Sequence, residues 1–233
     1  MAQEQGRGVW ARGYDWVQSR VDVAGAVEAS LHVRIPRGAR TYFLGGTTLF
    51  FLIVQIITGI LLSLYYRSSP EEAYQSILYI MNQVSFGWLI RSIHAWSANL
   101  MILACVLHMM RVFFQGAYKK PREVTWLVGV VLLLVTLVFG FTGYLLPWDQ
   151  RAYWGTTVGT EIAGAAPIAG DFMLRFLRGG ETLSGVTLSR FYSIHTLLLP
   201  LSIIMVVAVH LLLIHQQGLA PPPGEDEGED DLP

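Results

Sequence analysis

The sequence predicts an all-α membrane protein: four transmembrane helices forming a bundle, preceded by a helix lying in the membrane interface. Three observations predict it. The 233-residue chain is 53% hydrophobic and only 14% charged, against about 25% charged in an average soluble domain, and its mean hydropathy is positive. Four runs reach the roughly 20 apolar residues that a helix needs to cross the hydrocarbon core. The connections between them alternate between basic and acidic or balanced, as the positive-inside rule requires of successive loops. A formal net charge of −1 gives no basis for a nucleic-acid partner, and none is expected.

Taken in order, residues 1–34 form a segment on the cytoplasmic side. Its stretch Tyr14–Leu31 mixes apolar and charged positions at loosely helical spacing, which suits an amphipathic surface helix. The opening MAQEQGRGVWARGYDW lacks an apolar signal core, so no cleaved leader is expected. The four spans follow at about Tyr42–Tyr66, Trp88–Phe114, Thr125–Leu146 and Phe191–His215, within a domain of residues 35–218. Arg7, Arg12, Arg20, Arg34, Arg37 and Arg40 before the first span, and Lys119, Lys120 and Arg122 between the second and third, place these parts on the cytoplasmic side. The connection RSSPEEAYQSILYIMNQVSFG carries one Arg and two Glu and belongs on the opposite side. The long connection from about Pro147 to Arg190 opens with PWDQRAYWGTTVGTEI, which predicts short helices at the outer interface. Residues 219–233 are Pro-rich and then acidic, so a disordered tail is expected. Cys105, the single cysteine, lies mid-helix and reads as a packing residue.

The chemistry lies in histidines. His94 and His108 share the second span, and His195 and His210 the fourth. Such a residue in lipid is costly without a partner and marks a functional site. Fourteen helical residues rise roughly 21 Å and fall about 40° short of four turns, while fifteen overshoot by about 60°. Each pair therefore shares one face at two depths. Both spans run from the outer to the inner side, so His94 is level with His195, and His108 with His210. Two neutral imidazoles per level, with no thiolate or carboxylate cluster, favour bis-histidine haem over zinc or iron–sulfur chemistry, and electron transfer over oxygen binding.

The first and third spans contribute glycine at the same interval, Gly45 and Gly59, then Gly129 and Gly143. Glycine admits the close approach of a flat ligand; small-residue helix packing is the competing explanation. Arg91, three residues before His94, and Arg111, three after His108, can reach the propionates of a haem at their own level. Lys119, Lys120 and Arg122 could do so at the inner rim. Pro200 should kink the fourth span and reconcile its fifteen-residue spacing with the fourteen of the second.

The runs FGWLIRSIHAWSANL, GAYKKPREVTWLVGV, FGFTGYLLPWDQRAYWGTTV and RFYSIHTLLLPL resemble the N-terminal half of cytochrome b in quinol:cytochrome c oxidoreductases, the cytochrome b/b6 N-terminal family. The likeness covers about Ile35–Gly218. The fifteen-residue spacing resembles the short, split, b6-like form.

The resemblance implies a multi-pass subunit holding two non-covalent haem b groups, the low-potential one on His94 and His195 and the high-potential one on His108 and His210. It implies a Q cycle with proton translocation: quinol oxidised at an outer pocket involving Tyr144, Pro147, Trp148, Gly155 and Val158, and quinone reduced near the inner side. The implied partners are a C-terminal cytochrome b half supplying the Pro-Glu-Trp-Tyr loop, a Rieske iron–sulfur protein and a c-type cytochrome or plastocyanin-type acceptor, in a dimeric complex. The implied location is a bacterial plasma membrane or a thylakoid, with both termini cytoplasmic. Two departures matter. The position of the cysteine that attaches a covalent c-type haem in chloroplast-type members holds Phe43, so no such haem is expected, and the family's Arg after the last histidine is His215. Two other readings compete: a dihaem membrane anchor of a quinone-linked dehydrogenase or hydrogenase, and a haem-free structural or transport subunit with a proton path.

Overall fold

The computed structural model describes residues 43–218 and 220; the expected surface helix at Tyr14–Leu31 and most of the acidic tail lie outside them. Among the described residues, four helical stretches are long and apolar enough to cross a membrane: Leu44–Ser63, Gly87–Phe114, Glu123–Leu145 and Gly185–Gln217. We name the helices α1 (Leu44–Ser63), α2 (Ala73–Asn82), α3 (Gly87–Phe114), α4 (Glu123–Leu145), α5 (Gln150–Gly164), α6 (Gly170–Arg178), α7 (Gly185–Ser193) and α8 (Leu199–Gln217). Large apolar side chains such as Phe50, Ile57, Leu134 and Leu201 are exposed along the spans, a surface that only lipid or neighbouring subunits could cover.

The bundle is two antiparallel helix pairs, α1 along α3 and α4 along α8. They meet at mid-height on a core of Leu52, Met101 and Ile203, packed round by Leu49, Ile56, Leu132, Val135, Phe139 and Val207. This apolar plug lies between the two histidine depths. Gln55 ties the first pair together, its Nε2 donating to the His94 carbonyl at 2.7 Å and to Ser97 Oγ at 2.5 Å.

Local chemistry explains the boundaries. The first span ends at Ser63, short of the expected Tyr66, because the chain turns there, with the Tyr65 and Tyr66 amides both donating to the Leu62 carbonyl. Tyr66 then donates its hydroxyl to the Leu146 carbonyl at 2.6 Å, joining the outer ends of α1 and α4. Burial, reinforced by Tyr192, raises its pKa and keeps it a donor. The following connection contains α2, which the charge-based reading treats as a loop. Gly87 lies so close to the Ile80 carbonyl that a Cβ there would stand 2.0 Å from its oxygen.

The expected outer helices are α5 and α6, with α7 leading into the fourth span. Asp149 caps α5 by accepting from the Ala152 amide at 2.8 Å, and Gly179, at φ 78°, closes α6. Ser184 and Thr187 form a capping box that starts α7, so the fourth span begins at Gly185 rather than Phe191. Arg178, 6% exposed, holds this outer cap together. Its guanidinium donates to Thr160 Oγ1 at 2.8 Å, Glu161 Oε1 at 2.8 Å and the carbonyls of Thr157 and Glu181.

Between α7 and α8 the chain makes one π turn, Ile194–Leu198, in which the Leu199 amide reaches back to the Ile194 carbonyl. Pro200 follows and has no amide of its own to donate. A π turn inserts one residue into an α-helix. The insertion, rather than a simple proline kink, absorbs the extra residue between His195 and His210.

Candidate cofactor site

His94 projects from α3 and His195 from the π turn, and their rings lie 6.5 Å apart, centroid to centroid, at an interplanar angle of 70°. A metal held between two imidazoles by bonds of about 2 Å, with roughly 1 Å more from each ring nitrogen to its centroid, requires a separation of roughly 6 Å. The pair has the spacing of a bis-imidazole site.

Hydrogen bonding decides which nitrogen faces the core. Thr58 Oγ1 on α1 lies 2.8 Å from His94 Nδ1, and Thr142 Oγ1 on α4 lies 2.9 Å from His195 Nδ1. Each threonine donates its one proton to its own helix, Thr58 to the Val54 carbonyl at 2.6 Å and Thr142 to the Val138 carbonyl at 2.9 Å. The hydroxyl oxygens can therefore only accept from the rings, which places the ring proton on Nδ1 and leaves Nε2 bare for a ligand. Phe139 adds an edge contact to His195 at 5.4 Å.

Each of the four glycines faces one of the four histidines. A Cβ on Gly59 would stand 3.4 Å from His94 Cε1, and one on Gly143 only 2.8 Å from His195 Cε1. Deeper in the bundle, Gly45 would meet His108 at 3.3 Å and Gly129 would meet His210 at 3.6 Å. The glycine helices thus abut the imidazoles themselves, most tightly at Gly143 and least at Gly129, where an added Cβ would make ordinary contact. The two levels share one plan: Gly45 and Gly129, Thr58 and Thr142, and Gly59 and Gly143 are all 84 positions apart.

The inner pair differs. Neither His108 Nδ1 nor His210 Nδ1 has a side-chain hydroxyl beside it among the described residues; His210 faces the Thr125 backbone instead. No group of three or more His, Cys, Asp or Glu suited to a metal ion occurs among those residues, so the donor set is imidazole pairs alone. The imidazole donors, the ring spacing of the outer pair and the glycines facing all four rings fit haem held between histidines.

The remaining expected residues fall at the two rims. Arg91 is half-buried near the outer level, its guanidinium 3.7 Å from Met81 Sδ. Arg111 is half-buried one turn from His108. Arg122 reaches the Gln217 carbonyl at 3.3 Å, joining the inner ends of α4 and α8, and Thr125 supports it by donating to Gln217 Oε1 at 2.7 Å. Lys119 and Lys120 are exposed in the inner turn. On the outer side Tyr144 and Gly155 come together, a Gly155 Cβ falling 3.3 Å from the Tyr144 ring. Tyr144 and Val158 are both exposed. Trp148 stacks edge-on with Tyr153 at 5.9 Å, its backbone in the left-handed region at φ 52°. Sequence reasoning missed Thr58 and Thr142; the available signal was their place immediately before Gly59 and Gly143.

A family model described as Cytochrome b/b6/petB matches residues 32–218. The cytochrome b6 of Prochlorococcus marinus strain MIT 9211 is 43% identical over 210 residues, covering 90% of this chain and 96% of its own. That of Synechococcus elongatus is 44% identical, covering 90% of this chain and 98% of its own. Among solved structures, a chain of "Hyperthermophilic respiratory Complex III" matches with a TM-score of 0.82 and 34% identity over 93% of this chain. The present chain spans 59% of that longer one.

Proposed function

Because the chain belongs to the cytochrome b/b6 family, we propose that it carries electrons across the membrane between an outer quinol-oxidising pocket and an inner quinone-reducing one. It is the cytochrome b subunit of a quinol oxidoreductase, an electron-transfer protein of a membrane complex. The observation that carries the finer reading is the pairing of four imidazoles at two levels, each against its own glycine.

His94 and His195 would hold one haem b and His108 and His210 the second, each by Nε2. Bound there, the two haems supply a one-electron relay between the two sides of the membrane. The chain's own residues do the rest. Gly45, Gly59, Gly129 and Gly143 keep the walls thin enough for a flat macrocycle. Arg91 and Arg111 would neutralise propionates at the outer and inner levels, and Lys119 and Arg122 would add positive charge at the inner rim. The apolar plug of Leu52, Met101 and Ile203 would separate the two levels by a layer with no polar side chain to carry a proton. Tyr144, Pro147, Trp148, Gly155 and Val158 would line the outer quinol pocket, which a C-terminal cytochrome b half as partner would complete with its Pro-Glu-Trp-Tyr loop. Rieske and c-type cytochrome subunits in a dimeric complex, quinol and quinone as substrates, and cytoplasmic termini complete the reading. Phe43 at the cysteine position implies that no haem is covalently attached.

The test is spectroscopic. Purified complex should show two b-type components that titrate at unequal potentials, with all haem extracted by acid acetone. A spectrum without haem bands, or haem left on this polypeptide, contradicts the proposal.

A further inference from the structure

We propose that Thr58 and Thr142 are positioning residues that set the redox poise of the outer level, by holding the Nδ1–H of His94 and His195 on side-chain hydroxyls that have no counterpart at the inner level. The inference rests on the reading of His94 and His195 as ligands of one iron. Both hydroxyls are buried, Thr58 at 7% and Thr142 at 2% exposure. Both oxygens have spent their only proton on a carbonyl of their own helix, so each is an acceptor aimed at a ring. Each threonine also precedes the glycine that touches the same ring, so one helical step sets both the contact and the hydrogen bond. The corresponding residues at the inner level are Leu44 before Gly45 and Val128 before Gly129, which have no hydroxyl. Accordingly, no side-chain hydroxyl faces His108 or His210 among the described residues, and His210 has only the Thr125 backbone beside it.

An imidazole whose Nδ1–H donates to an acceptor is more electron-rich at Nε2 and a more basic ligand. It favours the oxidised over the reduced iron, and second-shell hydrogen bonding is among the levers that set a haem potential. Two such threonine bonds at the outer level lower its potential relative to the same site without them. The threonines thereby bias electron transfer toward the inner level.

The experiment uses intact complex carrying Thr58→Val, Thr142→Val, both together, or serine at either position, with His94→Leu as reference. Each is titrated potentiometrically while the b-haem absorbance is followed. The valine variants should shift the outer component to higher potential, the double variant further than either single one, with the inner component in place. The serine variants, which keep the hydroxyl, should match the parent. An outer potential unmoved by valine at full haem content, or moved equally by serine and valine, overturns the proposal. If valine costs the haem, the redox-induced infrared spectrum of unmodified complex decides. A hydrogen-bonded Nδ1 ring mode titrating with the outer component supports the proposal, and its absence overturns it. An outer component that survives His94→Leu overturns the ligand reading itself, an outcome distinct from the failure of the threonine effect.

Discussion

The two histidine levels are built on one frame and finished differently. At both, a glycine on one helix of a pair faces an imidazole on the other. At the outer level the imidazoles are also gripped at Nδ1 by threonine and flanked by Phe139, and Gln55 fastens the backbone beside His94. The inner level has none of this; what gathers around it is cationic, with Arg111, Lys119, Lys120 and Arg122 at the rim. The shared frame specifies what kind of group is held. The differing finish specifies how tightly each ring is oriented and how readily the site gives up or takes an electron. The outer rings are held by threonine hydroxyls, while the hydrogen bonds near the inner level join the ends of α4 and α8 through Arg122, Thr125 and Gln217.

The comparison breaks most directly at the ligands. His195→Leu should remove the outer b-haem component and abolish turnover while leaving the inner component, and His210→Leu should do the reverse; reduced-minus-oxidised spectra of the purified complexes measure both. A loss of both components in each variant would mean that the levels are not independent. A smaller, graded effect should follow the glycines. Alanine at Gly143 meets His195 at 2.8 Å, and overpacking of this kind costs about 1–3 kcal/mol, so haem content at the outer level should fall furthest in this variant. Gly45→Ala and Gly59→Ala, at 3.3 and 3.4 Å, should be intermediate, and Gly129→Ala, at 3.6 Å, should be nearly silent. Haem-to-protein ratios ordered otherwise would show that the ring contacts do not govern occupancy. The smallest effect is expected at Gln55→Leu, which removes the ties to His94 and Ser97. It should lower stability by about 0.5–1.5 kcal/mol and loosen the outer level only, as read by thermal loss of each absorbance component.

Most of the frame was legible in the sequence because lipid makes polar and small residues conspicuous. A histidine or a glycine interval in an apolar run stands out, and His94, His108, His195 and His210 gave the levels together with Gly45, Gly59, Gly129 and Gly143. Thr58 and Thr142 stayed hidden for a physical reason. A threonine inside a helix ordinarily returns its hydroxyl to the carbonyl four residues back, and both do so; only the tertiary structure shows what the oxygen does besides. The π turn was invisible too, since Pro200 signals an interrupted ladder without saying how the interruption is resolved. Helix α2 lies in a stretch with two glutamates and several polar residues, and its buried face of Ala73, Ser76 and Ile80 exists because α3 offers a surface to pack on. Arg178 looked like any loop cation, and its burial depends on Thr160 and Glu161 from a helix elsewhere in the same connection.

The π turn has a consequence for how this subunit can change length. Deleting one residue of Thr196–Leu198 would restore α-helical phase across the turn, with the histidines fourteen apart, the interval already present on α3. Deleting one residue between Pro200 and His210 would instead swing the inner imidazole by about 100° and out of the core. The fourth span therefore contains one short stretch where losing a residue keeps the phase, and it is the turn that carries the outer ligand.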